Sequence, residues 1–118
     1  MDLLSDSDPI CCLFTKNNDT GEFDLSGKTE LIMNNHNPDF LETFTVNHYA
    51  KKVQQMDFRV YDADDAKGVD FKDKDLLGHS LITMDELLVR QGEDVQFVMI
   101  KDGKGLERNA SIILNAVR

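Results

Sequence analysis

The stretch MDFRVYDADDAKGVDFKDKDLLG, residues 56 to 78, decides the fold. It opens as a strand. Met56, Phe58 and Val60 fall on one face and Asp57, Arg59 and Tyr61 on the other, the two-residue period of a half-buried sheet. The polarity then changes abruptly: Asp62, Asp64, Asp65, Asp70, Asp73 and Asp75 crowd one loop before the apolar pattern resumes at Leu76-Leu77-Gly78. A strand that ends in a carboxylate-rich loop suits a hard cation bound through oxygen alone. Calcium fits this better than magnesium, which demands strict octahedral geometry and keeps more of its water.

Working outward, the charge is uneven. The 118 residues carry a formal net charge of -9, and residues 1–8 with 62–75 hold nine of the 22 acidic side chains against three lysines. Like charges packed into a folded loop repel unless something neutralises them, which is the physical reason to invoke a metal. The alternative is a solvated acidic loop. The negative charge argues against nucleic acid as the main partner. The length suits one domain with a single core, and the 41% hydrophobic content supports a folded chain. No apolar run approaches a bilayer span, and no signal peptide opens the chain, so a soluble protein is expected. Cys11 and Cys12 are adjacent, hence on opposite faces of a strand and poorly placed to bridge each other. That favours a reducing, cytosolic setting.

Taken in order, residues 1–8 (MDLLSDSD) are acidic, and Pro9 starts a strand where its missing N–H does least harm. Ile10 to Lys16 is that strand, and residues 17–22 (NNDTGE) form a turn. Phe23 to Met33 is a second strand, with a break near Ser26-Gly27. Residues 34–39 form a loop, and Phe40 to His48 alternates as a further strand, with Glu42 as a polar intruder. The Met56 strand and the acidic loop follow, then a strand from Leu77 to Ile82. Thr83 and Glu86 make a capping box, which predicts a short helix over Met84 to Arg90, with Gly92 just beyond it. Val95 to Ile100 and Ser111 to Val117 close the chain, joined by a glycine turn near Lys101-Asp102-Gly103. Short strands, turns at regular spacing and one short helix predict an all-β, antiparallel β-sandwich.

The loops of a sandwich cluster at its two ends, so Asp2 and Asp8 are expected at one rim with Asp62, Asp64 and Asp75. Five carboxylates with backbone carbonyls would hold two calcium ions through shared ligands. An EF-hand is excluded. Counting from Asp62, the sixth position is Lys67 rather than Gly, the twelfth is Asp73 rather than Glu, and a strand precedes the loop. Catalysis finds no support. His36, His48 and His79 are scattered without a triad spacing and read as polar loop or edge residues. No cation stands next to the cysteines in sequence to lower their pKa, and no Walker or dinucleotide-binding loop is present. The chain is expected not to be an enzyme. Lys101 and Lys104 read as flanks of a hairpin turn.

Four pieces in this order resemble the C2 domain, the calcium-dependent phospholipid-binding β-sandwich: SDSDPI (5–10), NPDFLETFTV (37–46), FRVYDAD (58–64) and KDLLG (74–78). The segments LLSDSDP, GKTELIMNNHNP, YAKKVQQMDFRVYDAD and MIKDGKG...ASIILNA make the chain most similar to the first C2 domain of the copine family. The resemblance covers nearly the whole chain. It implies a C2-like Greek key and calcium ligands at Asp2, Asp8, Asp62, Asp64 and Asp75, with Asp70 and Asp73 as alternatives to Asp75. It also implies a fragment of a larger copine-like protein, with a second C2 domain and a von Willebrand A-like domain downstream. The N-terminal strand that such domains place before the first calcium loop is missing, so an unpaired sheet edge and self-association are expected. The strand that is lysine-rich in many C2 domains offers only Lys28 here.

The function this implies is calcium-dependent binding to anionic phospholipid membranes, recruiting the parent protein from the cytoplasm to the plasma membrane on a calcium rise, in signalling and membrane trafficking. Two ions would add four positive charges to a rim that an anionic leaflet otherwise repels. Leu3, Leu4, Val69 and Phe71 would dip into the interface, each buried CH₂ adding roughly 0.8 kcal/mol. The alternative is a calcium-independent protein–protein interaction module on the same sandwich.

Overall fold

The computed structural model describes residues 9–29, 44–46, 49, 52–62, 76–101, 104–105 and 111–116. Among the described residues, eight strands and one helix follow one another in the order β1 (Pro9–Lys16), β2 (Phe23–Lys28), β3 (Gln55–Asp62), β4 (Leu76–Thr83), α1 (Met84–Leu88), β5 (Val95–Val98), β6 (Ile100–Lys101), β7 (Lys104–Gly105) and β8 (Ser111–Leu114). All pairings are antiparallel. Among the described residues they build a six-stranded sheet, ordered β2-β1-β3-β4-β6-β7, and a two-stranded sheet of β5 and β8.

The apolar run ICCLF makes β1 an interior strand, covered on both faces. Cys11 and Leu13 enter the main core with Met56, Phe58, Val60 and Ile82 of the large sheet and Met99 and Ile112 from the second layer. Ile10, Cys12 and Phe14 point the other way and pack with Tyr61, Phe23 and Leu76. The two cysteines thus face opposite cores, as their adjacency requires, and both are free thiols. The second cluster corrects one expectation: β3 is not half-solvated, because Asp57 and Tyr61 on its outer face are 5% and 3% exposed.

Local chemistry sets the ends of the elements. The β1–β2 connection is fixed by the Asn17 side chain, whose Oδ1 accepts from the N–H groups of Asp19 (2.9 Å) and Thr20 (3.4 Å). Gly21, at φ +77°, supplies the left-handed residue that returns the chain into β2. Helix α1 starts on the predicted capping box, with Thr83 Oγ1 accepting from Glu86 N and Glu86 Oε1 accepting from Thr83 N. It buries Met84 and Leu87 against the main core and stops at Leu88. The closing region differs from expectation. Met99 separates β5 from β6, so the chain changes sheets there: β5 pairs with β8, and β6 pairs with β7. The expected strand over Phe40 to His48 also differs. Its described part, Phe44–Val46, has no strand pairing and joins the fold through side chains, the Phe44 ring meeting Phe58 edge-on at 6.1 Å.

Candidate functional site: the acidic end of the large sheet

Antiparallel pairing in the large sheet brings three strand ends together. Pro9, the first residue of β1, is the ladder partner of Asp62, the last residue of β3. Tyr61 is the partner of Leu76, the first residue of β4, just past a register irregularity at Val60/Tyr61. Paired Cα atoms in such ladders stand about 4.5–5.5 Å apart, so the three ends share one rim. The two acidic segments are bonded to this rim through the peptide links 8–9, 62–63 and 75–76. Asp62 itself is half-buried at the strand end. The other expected ligands, Asp2, Asp8, Asp64 and Asp75 with the alternatives Asp70 and Asp73, lie outside the described residues. So do Leu3, Leu4, Val69 and Phe71. Among the described residues no three His, Cys, Asp or Glu side chains converge as a metal site.

One polar constellation on β3 and β4 was not legible from the sequence. Asp57, buried on the outer face of β3, accepts at Oδ2 from Arg59 Nε (2.7 Å) and at Oδ1 meets His79 Nδ1 (2.8 Å). The carboxylate acts as acceptor, so Nδ1 carries the ring proton. Arg59 and His79 are themselves ladder partners, which places both side chains beside one carboxylate. The guanidinium stacks 4.1 Å from the Phe14 ring centre and 5.7 Å from that of Phe23. Burial alone would lower the Arg59 pKa, but hydrogen bonds to Asp57 and Tyr61 outweigh it and hold the pKa above the usual value. Burial raises Tyr61, with Arg59 opposing. His79 is therefore not the loop or edge residue expected. It sits inside β4, paired on both sides to β3 and β6. The only sequence hint was Asp57 and Arg59 two apart on a strand; the third member comes from 22 residues away.

The thiols carry no site. Burial pushes Cys11 up to about 12, with Cys12 adding to it. Burial also pushes Cys12 up to about 11 despite the nearby Lys28 and Arg59, so both stay protonated and unreactive. Among the described residues no helix is long and apolar enough to cross a membrane.

A family model described as C2 domain matches residues 1–99. The chain is 33% identical over 104 residues to Copine-D of Dictyostelium discoideum, covering 86% of the chain and 20% of that protein. It is likewise 33% identical over 104 residues to Copine-A of the same organism, covering 87% of the chain and 16% of that protein. With Nicotinic receptor-associated protein 1 of Caenorhabditis elegans it shares 34% identity over 94 residues, 66% of the chain and 15% of that protein. The chain thus spans a fifth or less of the length of these relatives. C2 domains in general bind phospholipid membranes or proteins. The antiparallel layers, the short helix α1 and the match over residues 1–99 agree: the chain belongs to the C2 domain family.

Proposed function

We propose that this domain docks its parent protein onto anionic phospholipid membranes in response to calcium, and that it catalyses no reaction. The observation that carries this reading is the ladder in which Pro9 faces Asp62 and Tyr61 faces Leu76, since it ties both acidic segments to one end of the sheet. The donor chemistry fits the ion. The segments joined there supply carboxylates, whereas the two thiols are buried along β1 and His79 is engaged by Asp57. Asp2, Asp8, Asp62, Asp64 and Asp75 would hold two calcium ions, with Asp70 and Asp73 as alternatives to Asp75. Bound calcium would reverse the sign of the rim and offer coordination positions to lipid phosphate or carboxylate oxygens. Leu3, Leu4, Val69 and Phe71 on the same segments would add apolar contact with the interface. The setting in this reading is the cytoplasmic face of the plasma membrane when calcium rises.

Co-sedimentation with phosphatidylserine-containing liposomes tests the reading. Binding is expected in calcium and not in chelator, and equal binding in both refutes it. A second reading, calcium-independent protein binding, is favoured by Val98 and Ile113, which are 59% and 60% exposed on the outer face of the β5–β8 sheet. Calorimetric titration with calcium separates the two. Heat that Asp62→Asn or Asp64→Asn diminishes supports the first, and no heat supports the second.

A further inference from the structure

At the end of the large sheet away from Asp62, a cleft of about 550 Å³ opens between the β1–β2 turn and a wall that includes Val46, Tyr49, Lys52 and Gln54. Its volume lies within the range of small-molecule sites. The β1 strand is eight residues long, so the cleft is removed from the acidic rim by about 23 Å of strand. Its charge opposes that of the chain. Among the described residues that line it, Lys16 and Lys52 stand against the one carboxylate of Asp19, on a protein of net charge -9. Neither lysine is ion-paired among the described residues, and Lys52 Nζ is held 5.6 Å from the centre of the Tyr49 ring.

The neutral groups add hydrogen-bond donors. Asn17 spends its side-chain oxygen on the backbone N–H groups of Asp19 and Thr20, which leaves its amide N–H groups to the cleft. The Thr15 and Ser26 hydroxyls lie 2.6 Å apart and share one hydrogen, so whichever donates, the other hydroxyl keeps a hydrogen to give. Both walls are set before any ligand arrives. Asn17 N bonds Glu22 O and Gly21 N bonds Asn17 O on one side; on the other, Lys52 N bonds Tyr49 O and Tyr49 N bonds Gln54 Oε1. A preorganised cleft with two ammonium groups and an excess of donors calls for an anion rich in acceptors. Its volume leaves room for an organic, hydroxylated portion beside the anionic group.

We propose that this cleft binds a phosphate monoester, through Lys16 and Lys52 with Asn17 and the Thr15/Ser26 hydroxyls, independently of calcium. The test records backbone amide NMR spectra of the 118-residue chain in chelator while glycerol 3-phosphate is added, which keeps its outcome separate from that of the calcium reading. Saturable shifts are expected at residues 15–20 and 52–55. Lys16→Ala and Lys52→Ala are each expected to weaken binding about tenfold, as loss of a charge-assisted hydrogen bond does. Asp19→Asn is expected to tighten it several-fold, a direction that misfolding cannot mimic. A parallel arm uses phosphatidylcholine vesicles with and without phosphatidic acid, also in chelator. Lysine-dependent capture by the phosphatidic acid vesicles assigns the monoester to a lipid headgroup, and response to glycerol 3-phosphate alone assigns it to a soluble metabolite. Cleft amides that stay still together with no lysine-dependent vesicle capture, or affinity unchanged in both lysine variants, overturn the proposal.

Discussion

Replacing Asp57 by alanine is expected to destabilise the domain by about 2–3 kcal/mol. Asp57 is 5% exposed, and both of its oxygens are engaged, by Arg59 Nε at 2.7 Å and His79 Nδ1 at 2.8 Å. Breaking a fully buried ion pair from one side costs about 3–5 kcal/mol, because the remaining charge is left without compensation. Here the remaining partners keep some access to water, with side chains 28% and 24% exposed. Arg59 also retains its stack on Phe14. The lower figure follows. Asp57→Asn is the milder variant, at about 1 kcal/mol, since its amide oxygen still accepts from Arg59 while its nitrogen can donate to His79 once the ring switches tautomer. Urea unfolding at neutral pH reads both. With a slope of about 1.5 kcal/mol per molar, the alanine variant should unfold at a urea concentration lower by about 1.5 M. A cycle with His79→Ala isolates the cross-strand part of the loss. An alanine variant within 0.5 kcal/mol of the parent would mean that the carboxylate contributes nothing to holding β3 against β4.

Two further outcomes follow from packing and from the thiols. At Gly27 an added Cβ would stand 2.8 Å from Cδ1 of Phe44, whose ring is braced against Phe58, so Gly27→Ala should cost about 1–3 kcal/mol in urea unfolding; a neutral effect would mean that Phe44 is free to swing away. The thiols make stability fall at alkaline pH. Their folded pKa values, about 12 for Cys11 and about 11 for Cys12, lie above the ordinary value of 9.0. The unfolded chain therefore loses these protons first. Their contribution is complete below pH 9.0 and is lost as pH climbs towards the folded values, at up to about 1.4 kcal/mol per pH unit for each thiol. Unfolding titrations across that window should be steeper for the parent than for the Cys11→Ala/Cys12→Ala double variant, and equal slopes would refute burial as the cause.

Much of the local architecture was legible in the residues because it depends on near neighbours. The alternation in β3, the turn after Lys16, the Thr83–Glu86 capping box and the opposed cysteines each follow from contacts within a few positions. The strand expected around Phe44 failed at its described residues because alternation reports a packed face, not a backbone partner, and the partly buried Phe44 packs through its ring. The link from Val95 to Leu114 was misread for a similar reason. The switch of sheet at Met99 depends on which strands are already paired.

By itself the sequence determined that this is an antiparallel β domain with nine of its 22 acids in two short segments, since composition and periodicity are properties of the chain, and its motifs carried the resemblance to the C2 domain. Tertiary structure alone decided that Pro9 and Leu76 close on the Asp62 end of the sheet, that Asp57 takes both Arg59 and His79, and that Lys16 and Lys52 line one cleft. The physical reason is register. A one-residue slip between strands exchanges their faces, so no reading along a single strand can say which distant side chains will meet.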